Sequence, residues 1–313
     1  MTDEQHRNGT PALLSVTRLV KDFPVGRGLY GTRGVVHAVQ GVSFSLSAGE
    51  TLAVVGESGC GKSTLARCVL RLLVPTSGTI KFEGIDITRA PASQLRPLRR
   101  DAAMVFQDPF GSLNPRLRAA SIVGEPLREA RVGSKKEIEG RVRELFTQVG
   151  LNPEHFSRFP HEFSGGQRQR IGIARAISLH PKLLVCDEPV SALDVSAQAQ
   201  ILNLLGDLRD QLDLSYLFIT HNLDIVRRFC DRVLVMYLGR VMETATVAEL
   251  FAAPRHPYDC GHRQRDESFR HPDRSGPAVQ GRHPRRPLVP SIRYRRSAPH
   301  LRSAARGDGA DRL

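Results

Sequence analysis

The chain has 313 residues, 40% of them hydrophobic, and carries a formal net charge of +13. A chain with this hydrophobic fraction can bury a core, so the composition excludes wholesale disorder. It contains no apolar run of the roughly 18 to 20 residues that a membrane-spanning helix needs. Residues 1–10 lack the apolar segment of a secretory signal peptide, and the five cysteines form no C-x-x-C pair, so we expect a reduced cytosolic protein.

The positive charge is unevenly distributed along the chain. Residues 259–313 hold 13 Arg, no Lys and 6 acidic residues, an excess of +7, which leaves +6 for residues 1–258. The same segment is poor in apolar residues, is dominated by Pro, Gly, Ser and Arg, and has neither helical nor strand periodicity. These features predict a patterned body within residues 1–258 and a basic, disordered tail over residues 259–313.

In the patterned part, predicted strands alternate with predicted helices. Short apolar or alternating runs predict strands at 13–19, 35–46, 51–55, 79–82, 183–186, 216–220 and 233–237. Apolar residues at helical spacing predict helices at 63–73, 135–149 and 167–179, with Gly150 as the cap of the second. Residues 111–165 contain no convincing strand, which predicts a helical insertion about there. The alternation indicates an α/β fold with a parallel sheet.

A glycine-rich segment separates the strand predicted at 51–55 from the helix that follows it. The segment fits the pattern G-x-x-x-x-G-K-[ST] and consists of Gly56, Glu57, Ser58, Gly59, Cys60, Gly61, Lys62 and Ser63. Glycines let the backbone wrap around phosphates, so that N–H groups of the loop and of the helix start, including Thr64, face the anion. Lys62 would reach the β- and γ-phosphates, and Ser63 would bind Mg²⁺. The segment therefore predicts a nucleoside triphosphate site.

Two carboxylates, Asp187 and Glu188, directly follow the strand predicted at 183–186. Alone they are a weak signal, because many strands end in an acidic residue. Beside a phosphate loop, Asp187 is suited to hold Mg²⁺ through its water shell, and Glu188 to act as general base on an attacking water. Phosphoryl transfer depends mainly on positioning and charge stabilisation, so these few groups suffice for it.

A second candidate anion site opens the helix predicted at 167–179. Ser164, Gly165, Gly166 and Gln167 combine a hydroxyl, two glycines and a helix N-terminus. One subunit needs a single γ-phosphate site, so a second one suggests that ATP is shared between two subunits. Here the chain resembles the ATP-binding-cassette (ABC) ATPases, whose signature is this Ser-Gly-Gly-Gln, over about residues 12–258. The resemblance implies a P-loop NTPase core with a parallel sheet, an antiparallel β subdomain and a helical subdomain.

The resemblance also implies roles for residues outside these motifs. Gln107 matches the Q-loop glutamine, which contacts Mg²⁺ or water and senses the membrane partner. Asp194 matches the D-loop at the dimer contact, and His221 matches the switch histidine that contacts the γ-phosphate. Phe23 aligns with the aromatic residue that stacks on adenine, although it could equally be a core residue and Tyr30 lies nearby.

One further position differs from the usual pattern of the family. Asn222, directly after the switch histidine, stands where the family more often has Asp, and we expect little consequence.

Longer strings narrow the resemblance to one group of ABC proteins. They are Phe-Gln-Asp-Pro at 106–109, Ser-Leu-Asn-Pro at 112–115, Pro-His-Glu-Phe at 160–163, Met-Tyr-Leu-Gly-Arg at 236–240 and His-Pro-Tyr at 256–258. Together they resemble the ATP-binding subunits of bacterial dipeptide and oligopeptide importers, a group that includes nickel importers. The implied cofactors are ATP and Mg²⁺.

The resemblance further implies a peripheral protein on the cytoplasmic face of the bacterial inner membrane. Its partners would be a second ABC ATPase, as a heterodimer or a homodimer, two transmembrane permeases and, indirectly, a periplasmic or lipoprotein solute-binding protein. No nucleic acid is expected. The alternatives are an importer ATPase for nickel or another small solute, a soluble ABC ATPase without a permease, and a product that does not assemble.

The tail departs from the family pattern after residue 258. Relatives continue with an Ala-Leu-rich helix and segments such as Gly-Asp-Ile-Pro and Pro-Pro-Ser-Gly-Cys, which are missing here. Codons for residues 280–284 can read Arg-Gly-Asp-Ile-Pro when the first base is dropped, and residues 287–293 can then read Pro-Ser-Ser-Pro-Pro-Ser-Gly. The excess of Arg over Lys (39 to 6) fits a GC-rich gene. We hypothesise an out-of-frame reading from about residue 259; the rivals are a divergent disordered tail and a nucleic-acid-binding arm.

Overall fold

The computed structural model describes residues 12–28 and 31–252. The strands of these residues are β1 (Leu14–Gly28), β2 (Gly31–Leu46), β3 (Thr51–Gly56), β4 (Ser77–Phe82), β5 (Ile85–Asp86), β6 (Ala102–Val105), β7 (Leu183–Asp187), β8 (Ser215–Ile219), β9 (Arg232–Tyr237) and β10 (Arg240–Thr246). The α-helices are α1 (Lys62–Val69), α2 (Arg96–Asp101), α3 (Pro109–Ser112), α4 (Ala119–Val123), α5 (Glu125–Glu129), α6 (Lys135–Gln148), α7 (Gly165–Ile177), α8 (Val195–Leu212), α9 (Leu223–Phe229) and α10 (Val247–Ala252).

The strands form two sheets. A four-stranded antiparallel sheet has the order β2-β1-β4-β5, and a six-stranded sheet has the order β10-β9-β3-β8-β7-β6. In the larger sheet β9, β3, β8, β7 and β6 run parallel to their neighbours, and β10 pairs antiparallel with β9. The predicted α/β fold with a parallel sheet and a separate antiparallel sheet is confirmed.

The central strands of the parallel sheet are buried on both faces, which explains their continuous apolar sequences. In β3, Ala53 and Val55 face one hydrophobic core, and Leu52 and Val54 face the other. The first core also contains the apolar residues of the helical segment that follows β6. The second core lies between the parallel sheet, α1 and the antiparallel sheet. The loops at the ends of these strands are therefore anchored to a sheet that is packed on both faces.

Helices lie in the interval between β6 and β7, which contains the residues of the helical insertion expected at about 111–165. No strand occurs within 111–165, all of which the structure describes. In α6 the Ser134 hydroxyl accepts a hydrogen bond from the Glu137 N–H, and the Glu137 carboxylate accepts one from the Ser134 N–H, so a capping box starts this helix. Gly150 ends it in the left-handed region at φ 70°, as predicted.

Some predicted boundaries were wrong, and several elements were missed. The helix predicted at 63–73 starts at Lys62 and ends at Val69, because Arg71 turns into the left-handed region at φ 53°. The strand predicted at 13–19 continues to Gly28 in a long hairpin with β2. The sequence prediction contained none of β5, β6, β10, α2, α8, α9 and α10.

No helix in the described part of the chain is long and apolar enough to cross a membrane. The predicted tail at 259–313 lies outside the described residues, so its out-of-frame origin stays a hypothesis. Tyr30 and the last six residues of the domain predicted at 12–258 also lie outside them.

Candidate nucleotide-binding site

The glycine-rich loop joins the end of β3 to the start of α1 and depends on glycine at two crowded points. Gly56 has φ 154°, and a Cβ there would lie 2.2 Å from the carbonyl oxygen of Met236. Gly61 has φ 105°, and a Cβ there would lie 2.0 Å from the carbonyl oxygen of Ala38. A side chain at either point would collide with backbone. The loop is thus a close-fitting backbone cradle rather than an ordinary turn.

The start of α1 supplies donors for an anion. The first backbone hydrogen bond of this helix runs from the Leu65 N–H to the Gly61 carbonyl, so the N–H groups of Lys62, Ser63 and Thr64 have no partner within the helix. Gly61 is the N-cap and has no side chain to satisfy them. Unpaired N–H groups and the helix dipole together favour phosphate.

Lys62 lies inside the loop although its side chain is charged. It is 5% exposed, and its ammonium group donates to the carbonyls of Gly56 and Glu57, each at 2.8 Å. The ammonium also lies 3.9 Å from Sγ of Cys60, and a buried ammonium with these neutral partners is well placed to pair with an anion in the same loop. Lys62 is therefore the central cation of the cradle.

Ser63 and Asp187 form the candidate magnesium position. The Ser63 hydroxyl donates a 2.9 Å hydrogen bond to Oδ1 of Asp187, which ends β7 and is 3% exposed. Burial raises the pKa of Asp187 above its usual range, and the Ser63 hydrogen bond and the Arg67 charge oppose this shift. A hydroxyl and a carboxylate are oxygen ligands of the kind that Mg²⁺ prefers. The residues present thus fit a magnesium ion beside the phosphate loop.

Three polar side chains meet next to this pair. Oε2 of Glu188 accepts a 3.2 Å hydrogen bond from the Gln107 amide and lies 3.4 Å from Nδ1 of His221. Glu188 has a left-handed backbone at φ 46°, and its N–H donates to the Ile219 carbonyl, which fixes this strained position. The sequence-predicted base, switch histidine and Q-loop glutamine are therefore brought together.

Asn222 caps the helix that follows the switch histidine. Its Oδ1 accepts hydrogen bonds from the N–H groups of Asp224 at 2.9 Å and Ile225 at 3.4 Å. Asn and Asp serve about equally well as N-caps, so either residue could make these contacts; that the difference has little consequence stays a prediction.

The signature residues lie in a separate cavity. This cavity, of about 410 Å³, is lined by Ser164, Gly165, Gly166, Gln167 and Asp194, among others. None of the phosphate-loop residues, all of which the structure describes, lines it. Ser164 caps α7 through its bond from the Gln167 N–H, and Asp194 caps α8 through its bond from the Ala197 N–H. The signature and the D-loop therefore share one surface, apart from the phosphate loop.

The two signature glycines lie where α7 packs on the start of α8, and either position has room for a Cβ at ordinary contact distance. A Cβ on Gly165 would lie 3.4 Å from Leu193, and one on Gly166 would lie 3.5 Å from Ala197. Arg170 of the same helix also lines the cavity and bonds to the carbonyl of Val149 and to Gln200. Neither Arg170 nor Gln200 was predicted as a site residue, because Arg170 lies beyond the Ser-Gly-Gly-Gln signature and Gln200 reaches the cavity from α8.

Phe23 lies half-buried in β1, opposite Val36 in β2. The Lys21 ammonium lies 4.9 Å from its ring centroid, in a cation–π contact. Val36 is two residues from Ala38, whose carbonyl touches the phosphate loop at Gly61. Phe23 therefore belongs to the strand pair that borders the loop, in agreement with an adenine-stacking role, which stays a prediction.

Comparison with known proteins agrees with this geometry. The ABC transporter family model matches residues 39–191. The oligopeptide transport ATP-binding protein AppF of Bacillus subtilis (strain 168) is 52% identical over 248 residues, which are 79% of this chain and 75% of that protein. This chain belongs to the ABC transporter ATP-binding family. The di/tripeptide transport ATP-binding protein DppF of Pseudomonas aeruginosa (strain UCBPP-PA14) is 50% identical over 268 residues, 86% of this chain and 83% of that protein.

Solved structures place the fold in the same ABC family. The dimeric ATP-binding cassette MJ0796, in a post-hydrolysis state bound to ADP and Pi, matches with a TM-score of 0.67 and 27% identity. That match covers 75% of this chain and 98% of the other. The cbiO1 structure from Clostridium perfringens, part of the ABC transporter complex cbiONQ, matches with a TM-score of 0.66 and 29% identity over 82% of this chain and 96% of its own. The chain is thus an ABC-type ATPase.

Proposed function

We propose that this ABC ATPase powers the import of dipeptides or oligopeptides across the bacterial inner membrane. The observation that carries the proposal is the convergence of Lys62, the Ser63–Asp187 pair and Glu188 at the start of α1 and the end of β7. The names of the relatives, which describe oligopeptide and di/tripeptide transport, supply the solute class.

Each group in the site has a distinct task in the proposed hydrolysis. The loop N–H groups and Lys62 would bind the β- and γ-phosphates, and Ser63 and Asp187 would hold Mg²⁺. When bound, Mg²⁺ neutralises phosphate charge and orients the β- and γ-oxygens. Glu188 would accept the proton of the attacking water, with Gln107 and His221 fixing its carboxylate. These positioned charges would stabilise the negative charge on the phosphoryl oxygens in the transition state, as water attacks and ADP leaves.

The separate signature cavity supports a shared site between two subunits. Ser164 and the N-terminus of α7 would cover the triphosphate of a partner ATPase, and Asp194 would line the contact. A homodimer or a heterodimer with a related ATPase would place two ATP molecules at the interface. The MJ0796 cassette, which is a dimer with ADP and Pi, supports this arrangement.

A large groove beside Gln107 supports docking of a membrane permease. It has a volume of about 680 Å³, and its lining includes Leu72, Phe106, Gln107, Arg175 and Asp187. Leu72 is 55% exposed, so the groove offers apolar surface as well as polar groups. A permease segment in this groove would touch Gln107 and thereby sense the hydrolytic site. This contact would hold the protein peripherally at the cytoplasmic face of the membrane.

Co-purification from membranes tests the assembly. The tagged full chain is expected to bring down two permeases and a second ATPase, or a second copy of itself. Recovery in a soluble fraction, without permeases, would favour a non-transport ABC ATPase. Uptake of labelled peptides and uptake of labelled nickel are each measured in cells lacking the gene. The solute whose uptake is lost identifies the solute class.

A substitution tests the nucleotide site directly. Lys62→Ala is expected to lower ATP binding or turnover to near background, since it removes the cation of the cradle. The matched control is Lys136→Ala, an exposed lysine of α6 outside the site. Normal turnover in Lys62→Ala would contradict the proposed site.

A further inference from the structure

The turn between β9 and β10 lies against the phosphate loop. The N–H of Gly239 donates a 3.0 Å hydrogen bond to the carbonyl of Cys60, in the middle of the loop. The carbonyl of Met236, at the end of β9, occupies the space where a Cβ on Gly56 would be. The beginning and the middle of the loop are therefore in direct contact with this hairpin.

The turn has a backbone conformation that needs support. Leu238 and Gly239 both have positive φ, 46° and 80°. A left-handed backbone is unfavourable for leucine, because its Cβ then crowds the following carbonyl oxygen. Leu238 is also 64% exposed, so its side chain gains little from burial. The turn therefore depends on hydrogen bonds made to its backbone.

Gln40 of β2 supplies those hydrogen bonds. Its N–H donates to the Gly239 carbonyl at 2.8 Å, and its side-chain amide donates to the Leu238 carbonyl at 2.9 Å. Arg240 donates to Oε1 of Gln40 at 3.2 Å and so fixes the orientation of the amide. Gln40 thus connects the antiparallel sheet to the turn of the parallel sheet.

Strand β2, which contains Gln40, also contacts the phosphate loop near its end at Gly61. Ala38, two residues before Gln40, presents its carbonyl to Gly61, where a Cβ would approach to 2.0 Å. The loop therefore has β2 on one side and the β9–β10 turn on the other. Gln40 is the side chain that joins these two sides.

We propose that Gln40 is a positioning residue for the phosphate loop, which acts by holding the Leu238–Gly239 turn against Cys60. The proposal rests on the nucleotide site proposed above and adds a residue outside its motifs. Gln40 does not reach the phosphates itself. Its loss should weaken binding of the phosphate chain and leave the base contact unaffected.

Equilibrium titration of the full chain with Mg²⁺·ADP and with inorganic tripolyphosphate tests this role. Gln40→Ala removes the side-chain bond, and Gln40→Glu keeps the shape but replaces the donor by an acceptor. Both variants are expected to raise the Kd of both ligands by a similar factor, about three- to tenfold. The midpoint of thermal unfolding without ligand should stay within about 2 °C of the wild type.

Two matched variants complete the experiment. Gln94→Ala removes an exposed glutamine elsewhere and should bind both ligands like the wild type. Phe23→Ala should weaken ADP alone. If Gln40→Glu binds like the wild type, or if only ADP is weakened in the Gln40 variants, the positioning role is wrong. If Lys62→Ala also binds tripolyphosphate normally, the nucleotide site itself is wrong, so the two failures are distinguishable.

Discussion

The hydroxyl of Ser63 and the carboxylate of Asp187 are 124 positions apart in the chain and 2.9 Å apart in space. Ser63 belongs to the first turn of α1, and Asp187 ends β7. The side chain of Asp187 is almost completely buried, so its charge has few partners besides Ser63, Lys62 and Arg67. A divalent cation at this point would balance a carboxylate that burial otherwise disfavours.

Asp187→Asn is therefore expected to reduce the effect of Mg²⁺ on nucleotide affinity. Nucleotide binding without Mg²⁺ should change less. The amide keeps the size of the side chain but loses the charge, and Mg²⁺ affinity should fall at least about 10- to 100-fold. Titration with ADP, with and without Mg²⁺, measures the change. Asp210→Asn, at a side chain that is 76% exposed, is the matched control. An unchanged response of Asp187→Asn to Mg²⁺ would argue against the magnesium position.

Glu188→Gln is expected to bind ATP but to hydrolyse it at about 1% of the wild-type rate or less, since general-base catalysis contributes about 10²- to 10⁴-fold. The closed dimer should accumulate, because ATP is bound and not consumed. Turnover assays and light scattering after gel filtration with ATP measure the two effects. Near-normal turnover of this variant in the assembled complex would show that Glu188 is not the base.

Gly166→Asp tests the signature as an anion site that acts between subunits. A carboxylate at the start of α7 would repel the triphosphate of the partner, so ATP-dependent dimerisation and turnover should be lost. Binding of ADP to the isolated subunit should stay unchanged, because the phosphate loop is elsewhere. Gly166→Ala is the control, since its Cβ would make an ordinary 3.5 Å contact with Ala197. A dimerising, active Gly166→Asp would contradict the shared site.

Gly78, in β4, and Gly84, in the turn between β4 and β5, test the packing of the antiparallel sheet. Both have positive φ, 93° at Gly78 and 79° at Gly84, but a Cβ at Gly78 would lie 2.4 Å from the Arg18 carbonyl while one at Gly84 meets nothing within 4 Å. Gly84→Ala should lower the free energy of unfolding by about 1–2 kcal/mol from the backbone term alone. Gly78→Ala should lower the free energy of unfolding by a further amount of about 1–3 kcal/mol, because its Cβ would overpack against the Arg18 carbonyl. Urea denaturation measures both, and equal losses would show that the close approach is absent.

The strands that the sequence predicted well are those whose signal is local. Strands β3, β7, β8 and β9 are buried on both faces, so each is a continuous apolar run. Strand β6 was missed because its four residues, Ala102–Val105, follow an arginine-rich stretch and are held in the sheet by pairing with β7. Helix α8 did carry a signal, with Ile201, Leu204, Leu205 and Leu208 buried along one side, which the sequence analysis did not use.

The candidate site also contains some residues that the sequence could identify and others that it could not. Motifs at fixed spacing identified the phosphate loop (Gly56–Ser63), Asp187, Glu188 and His221. The structure brings Gln107 and His221 to Glu188. Gln40 and the Leu238–Gly239 turn could not be named, since their relation to the loop exists only after two sheets pack together. Local spacing predicts the groups that touch phosphate, and long-range packing determines what supports them.

The arrangement of the strands also sets the order in which the site can form. Strands β3 and β7 are not neighbours, because β8 pairs with both and lies between them. Ser63 and Asp187 can meet only after residues up to Ile219 have been synthesised and inserted into the sheet. A nascent chain that carries the phosphate loop and both carboxylates still lacks the Ser63–Asp187 contact. A ligand that binds only the finished sheet would selectively stabilise chains that have completed this step over partly folded ones.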